Sequence, residues 1–131
     1  MATILYIEDN PDNMLLVRRA VEAIGYQFIG AGTGFEGLRI AREQEPDLIL
    51  LDINLPDIDG YEVARRRRAM KGHHLFYVPV IAISGNVMRG DAIKALEAGC
   101  DVYMCKPINI RELWARVESF LALPRRDGEI P

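Results

Sequence analysis

Cysteine is scarce in this sequence: Cys100 and Cys105 are the only two in 131 residues. They do not form a CxxC pair, and no histidine stands near enough to complete a zinc set. A disulfide-stapled scaffold and a zinc ribbon are both excluded, and two reduced thiols are expected, with Cys105 in an apolar strand. Histidine is equally rare. His73 and His74 stand side by side in a loop-like stretch, read as solvent-exposed, and do not make a metal site. Neither sign of charge dominates, since Lys+Arg 16 against Asp+Glu 19 leaves −3. That balance argues against nucleic acid or an anionic membrane as the main partner. No apolar run is long enough to span a bilayer. No basic segment followed by an apolar stretch precedes Thr3, so no signal peptide is read and a cytoplasmic location is expected. Repeats and low-complexity tracts are lacking too.

What the sequence does have is a regular alternation. Half of it is apolar, enough for one sizeable core in one domain. Short apolar runs at 3–8, 27–31, 47–52, 78–84 and 102–105 read as strands. The first, third and fourth are almost wholly apolar, as strands covered on both faces must be. Helix-like segments fall between them. The first opens with Asn10 as N-cap and Pro11 at the first helical position, and ends near Gly25. Met14, Val17, Ala20, Val21 and Ile24 line one face of it. Further helices are expected at 34–44, 60–70 and 91–98. A fifth starts at Asn109, with Glu112 three residues on, and shows Ile110, Leu113, Val117, Phe120 and Leu121 on one side. The stretch 124–131 contains Pro124, Gly128 and Pro131 and reads as a flexible tail to a domain spanning 1–123. Strict alternation of strand and helix implies a three-layer α/β sandwich, whose site lies at the carboxyl ends of the strands.

Strand one ends in Glu8-Asp9, strand three in Asp52 and strand four in Ser84, and strand five runs into Lys106-Pro107. Carboxylates, a hydroxyl and an ammonium therefore converge on one edge. Two carboxylates ~4 Å apart repel by roughly 4 kcal/mol at an effective dielectric near 20. Several of them with one lysine remain net negative and call for a cation. The donors are all oxygen, which suits a hard ion such as Mg²⁺ better than zinc.

The string Ile7-Glu8-Asp9-Asn10, the run from Asp47 through Asp52, Asn54 and Pro56 to Gly60, and the stretch Ala98-Gly99 through Tyr103 to Lys106-Pro107 resemble the receiver domain of two-component signalling. The resemblance extends from Thr3 to about Leu121. It implies a flavodoxin-like, doubly wound (βα)5 fold with a five-stranded parallel sheet in order 2-1-3-4-5. It also implies that Asp52 accepts a phosphoryl group from a phosphohistidine. Asp9, Asp52 and the main-chain carbonyl of Asn54 would ligate Mg²⁺ (or Mn²⁺), and Glu8 would act through a bound water. Lys106 would pair with the phosphoryl group and the Ser84 hydroxyl would hydrogen-bond it. Pro107 would follow a cis peptide bond. Tyr103 would turn inward on phosphorylation and change the face formed by helix four, strand five and helix five. The loop at 85–90 should rearrange easily, and Asn54 and Asn86 would tune dephosphorylation. Partners would be a sensor histidine kinase or a histidine phosphotransfer protein, together with a downstream protein. The chain would be a monomer or a phosphorylation-dependent dimer. It would catalyse only its own phosphorylation and dephosphorylation.

Other readings stand beside these. Glu8 and Asp9 could simply cap the first helix, and Tyr103 could be plain packing. A receiver segment of a hybrid histidine kinase would carry the same motifs, and a pseudo-receiver would bind partners without phosphorylation. A haloacid-dehalogenase-type phosphatase would want a second acid where Asn54 stands. Leu15 points away from the core face of its helix, and is expected to be exposed and to touch the phosphodonor. The run Arg65–Arg68 puts Arg67 on the apolar side of its helix, where receivers usually carry an aliphatic residue. Its stem is expected to pack while the guanidinium snorkels outward, favouring a shortened or shifted helix.

Overall fold

The computed structural model describes residues 2–85 and 91–129, with side chains through 121. Five parallel strands, β1 (Thr3–Ile7), β2 (Gln27–Ala31), β3 (Leu48–Asp52), β4 (Val80–Ser84) and β5 (Val102–Cys105), form one sheet in the order β2-β1-β3-β4-β5. The helices are α1 (Pro11–Ala23), α2 (Gly34–Gln44), α3 (Gly60–Arg68), α4 (Asp91–Ala98) and α5 (Ile110–Glu129). This is the doubly wound sandwich expected from the alternation.

Side-chain parity along the strands sorts the two faces. Leu5, Ile7, Ile49, Leu51, Val80 and Ala82 point to the layer of α2, α3 and α4 and meet Leu38, Val63 and Ala95. Ile4, Tyr6, Leu48, Leu50, Ile81, Ile83 and Met104 point to α1 and α5 and meet Val17, Val21, Leu113 and Val117. All five residues of β3 and of β4 are buried, which is why those segments read as continuous apolar runs.

Local chemistry sets the helix ends. Asn10 Oδ1 accepts from Asn13 N (2.9 Å) and Asn109 Oδ1 from Glu112 N (3.0 Å), as N-caps do. At α2 the Thr33 hydroxyl caps Glu36 N (3.1 Å), and Asp57 reaches across from the loop after β3 to accept from Gly34 N and Phe35 N, both at 2.8 Å. That loop, which carries Asn54, is thus anchored on the amino end of α2. Trp114 Nε1 donates to Ala20 O (2.8 Å) and ties α5 to α1.

The observed elements differ from the sequence expectation in a few places. β4 begins at Val80 rather than 78, because His74–Tyr77 form a 3₁₀ turn that buries Leu75. His73 is half-buried, not exposed, since its Nδ1 caps that turn by accepting from Leu75 N (3.0 Å). Cys105 is exposed, while Cys100 is buried. Helix α5 runs from Ile110 to Glu129.

The largest departure concerns Arg67. It is 7% exposed, and its guanidinium does not snorkel outward. Nη1 donates to Phe76 O and Val78 O, both at 2.9 Å, and Nη2 to Gly99 O at 2.6 Å. Carbonyls left over at the ends of neighbouring elements supply the acceptors that solvent would otherwise provide. Helix α3 is indeed short, ending at Arg68.

Gly60, the first residue of α3, packs directly behind the end of β3. A Cβ there would lie 2.6 Å from Asp52 O and 2.7 Å from Ile53 Cα, both backbone atoms. Gly60→Ala is therefore expected to cost at least ~2 kcal/mol in urea unfolding. A loss under ~0.5 kcal/mol would show that this contact relaxes freely.

Candidate functional site

The parity that builds the core also builds the site. Glu8 continues the Ile4-Tyr6 row, Asp52 the Leu48-Leu50 row and Lys106 the Met104 row, so all three leave the sheet on the α1/α5 side. Ser84 follows Ala82 and leaves on the opposite side, where Tyr103 packs. Glu8, Asp52 and Ser84 are each 1% exposed.

One oxygen from each of Glu8, Asp9 and Asp52 lies within 4.8 Å of the others. Lys106 Nζ sits 2.8 Å from Glu8 Oε1 and 3.4 Å from Asp52 Oδ1. The sequence-predicted acids and the lysine are thus brought together. Asn54 N donates to Asp52 Oδ1 (3.3 Å), which places the loop backbone against the central carboxylate. The Lys106-Pro107 bond is cis. The Ser84 and Tyr103 hydroxyls are hydrogen-bond partners, and Tyr103 is half-buried. Leu15 is 47% exposed on α1. Asn86 and the rest of 86–90 lie outside the described residues.

Two contributors escaped the sequence reading. The Tyr6 hydroxyl donates to Glu8 Oε1 (2.9 Å) in the sheet interior, and Asn13 Nδ2 donates to the same oxygen (3.2 Å). Tyr6 stands two residues before Glu8, on the same face of one strand. That period-two spacing was the available signal.

These partners divide the carboxylates into unlike roles. Burial disfavours a charged Glu8, but hydrogen bonds from Asp52, Lys106, Tyr6 and Asn10 outweigh it and hold its pKa down at about 2. Asp52 goes the other way: burial, the shared hydrogen bond with Glu8 and Glu8's charge raise it to about 7. Burial opposes the charge of Lys106, yet the two acids keep its pKa raised. The pocket therefore shares one proton between Glu8 and Asp52 near neutrality. An oxygen-rich cluster under such mutual repulsion fits a hard divalent cation, which would take that proton's place.

The chain matches the response regulator receiver domain family over residues 4–118. It belongs to that family. It is 39% identical over 119 residues to the polar-differentiation response regulator DivK of Brucella ovis, covering 91% of this chain and 95% of that one. Its fold is similar to a CheY-like receiver domain protein from Methanospirillum hungatei (TM-score 0.85, 26% identity, covering 98% of this chain and 99% of that one). It is similar also to the receiver domain of a sensor histidine kinase from Pseudomonas aeruginosa, solved with magnesium in its active-site cleft (TM-score 0.84, 33% identity, covering 92% and 98%). Receiver domains bind Mg²⁺ at an acidic pocket and interact with histidine kinases or phosphotransfer proteins, and the Glu8, Asp9 and Asp52 cluster of this receiver fits such a pocket. Among the described residues, no helix is long and apolar enough to cross a membrane.

The raised Asp52 pKa has a consequence for stability. The folded state binds this proton more tightly than the unfolded chain, whose ordinary value is 3.8. Stability is then withdrawn as pH rises from about 4 to about 7. In EDTA, Asp52→Asn should melt higher than the parent at pH 8, by on the order of 5 °C, and the gap should close toward pH 4. An equal or lower melting temperature for the variant at pH 8 would contradict this assignment.

Proposed function

We propose that this receiver is a phosphorylation switch in which Asp52 is the phospho-acceptor. The observation that carries the reading is the convergence of Glu8, Asp9 and Asp52 with the Lys106 ammonium in one strand-end pocket. Asp9, Asp52 and the Asn54 carbonyl would hold Mg²⁺, with Mn²⁺ a substitute. Glu8, engaged by Lys106, Tyr6, Asn10 and Asn13, would act on it through water. The bound cation supplies positive charge that offsets the acids and the incoming phosphoryl oxygens.

An Asp52 carboxylate oxygen attacks phosphorus, and the bond to the donor histidine nitrogen breaks as the new O–P bond forms. Carboxylates are weak nucleophiles, so alignment and charge neutralisation carry the step. Lys106 lies 3.4 Å from the attacking carboxylate and neutralises one phosphoryl oxygen. Ser84 hydrogen-bonds another, and its departure from Tyr103 frees that ring to turn inward. The added roughly −1.5 to −2 charge supplies the drive. The output face is α4, β5 and α5, which meets a downstream protein. The donor is a sensor histidine kinase or a histidine phosphotransfer protein, and the exposed Leu15 on α1 belongs to its docking surface. The chain acts in the cytoplasm, as a monomer or a dimer formed on phosphorylation.

A second reading, the receiver segment of a hybrid sensor kinase, is supported by the likeness to the Pseudomonas domain. The chemistry is the same in both.

With acetyl phosphate and Mg²⁺, intact-mass measurement should show the gain of one phosphoryl group. Asp52→Asn or EDTA should abolish it. A parent chain that never labels under these conditions would make this a pseudo-receiver. Leu15→Arg should slow transfer from the cognate kinase by about tenfold and leave acetyl-phosphate labelling unchanged. Equal slowing with both donors would remove Leu15 from the docking surface.

A further inference from the structure

The arginine run at the end of α3 faces away from the phospho-acceptor, and the proposed chemistry does not use it. Arg65 and Arg66 pair with Glu62 on the helix surface (3.1 and 2.9 Å). Arg67 and Arg68 reach across to α4. Arg67 Nη2 donates to Gly99 O (2.6 Å), Arg68 Nη1 donates to Glu97 O (3.1 Å), and Arg67 Nη1 joins both to the backbone of Phe76 and Val78. Two guanidinium groups therefore cap carbonyls at the C-terminal end of a short helix, where the helix dipole favours positive charge. Gly99 permits this approach. It sits at φ +112, and a Cβ there would come within 2.9 Å of Arg68 Cδ. Beside the clamp lies Cys100, 4% exposed, its amide bonded to Ala95 O (2.9 Å).

The other end of α4 is placed differently. Asp91, its first residue, is 8% exposed, and its Oδ2 is buried without a hydrogen-bond partner among the described residues. Its charge is felt by Tyr103, the partner of Ser84. So the N-terminal turn of α4 borders the residues that answer to Asp52, while the C-terminal turn is bolted to α3.

We propose that Arg67 and Arg68 are positioning residues of the switch: they hold the C-terminal end of α4 as a fixed pivot, so that phosphorylation of Asp52 reorients only the N-terminal turn. This rests on the reading of Asp52 as the phosphorylated residue. The C-terminal end of α4 is tied to α3 by two charge-assisted bonds, Arg67 Nη2 to Gly99 O and Arg68 Nη1 to Glu97 O. Sliding the helix as a unit would break both, while Phe76 O and Val78 O hold the Arg67 guanidinium in place. Rotation about that end costs none of them. An aliphatic residue at position 67 would supply packing without this directional restraint.

Cys100 makes the pivot measurable. In a Cys105→Ser background without phosphodonor, Arg67→Met should raise the rate of maleimide labelling at Cys100 by about tenfold. Arg67→Lys should fall between Arg67→Met and the parent. Arg68→Ala, at an exposed position, should give a smaller rise in the same sense and keeps the test usable if Arg67→Met does not fold. Unchanged Cys100 labelling in both Arg67→Met and Arg68→Ala would overturn the clamp. With acetyl phosphate and Mg²⁺, amide hydrogen exchange in the parent should change at 91–94 and stay constant at 95–100. In Arg67→Met the change should spread through 95–100. An equal response across 91–100 in the parent would overturn the pivot. Intact mass read in parallel shows whether Asp52 was phosphorylated, so failure of the chemistry, which removes the switch itself, is distinguished from a helix that moves as a whole.

Discussion

Two buried acids and one ammonium share the carboxyl edge of the sheet, and their mutual electrostatics constrain the rest of the molecule. Glu8 and Asp52 are almost fully withdrawn from water, and Lys106 is the cation that bridges them. Alone, that lysine cannot neutralise the cluster. The pocket resolves the conflict by asymmetry: Glu8 collects donors from Tyr6, Asn13 and the Asn10 backbone, and Asp52 keeps a proton that a cation can displace. Glu8 is thereby the carboxylate held as a fixed charge, and Asp52 the one with fewer donors.

Sheet parity carries this arrangement outward. Glu8, Asp52 and Lys106 emerge on the α1/α5 side, whereas Ser84 and Tyr103 lie on the side of α3 and α4. The ionised groups thus gather on one face and the Ser84–Tyr103 hydroxyl pair on the other, with the thickness of one strand between them. The loop that carries Asn54 is steadied by Asp57 on α2 and by the close approach of Gly60 to β3. At the far end, Arg67 and Arg68 brace α4 against α3. Charged hydrogen bonds thus hold both the strand-end pocket and the far end of α4.

Much of this was legible in the residues. Asn10-Pro11 and Asn109 marked helix starts because a cap is a local interaction with its own spacing. The apolar runs of β3 and β4 announced strands covered on both sides. The strand-end rule found Glu8, Asp9, Asp52 and Lys106. Tyr6 was passed over because a tyrosine inside an apolar strand looks like core until its hydroxyl finds a partner. Arg67 was misjudged because a long cationic side chain on an apolar face ordinarily escapes to water, and only three carbonyls from distant elements make burial the better choice. The 3₁₀ turn at His74–Tyr77 left no periodic signal, since it is too short to have one.

The sequence by itself determined the alternation of strand and helix, the apolar faces, the caps and the residue types gathered at the strand ends. These follow from interactions between neighbours a few positions apart. Only the tertiary structure decided that Glu8 is pushed below and Asp52 above the ordinary carboxylate range, that the Tyr6 hydroxyl serves Glu8, that Asp57 anchors on α2, and that Arg67 faces inward. Each of those depends on the dielectric and the partners that other elements bring within ~3 Å, and a linear order of residues does not state distances across the fold.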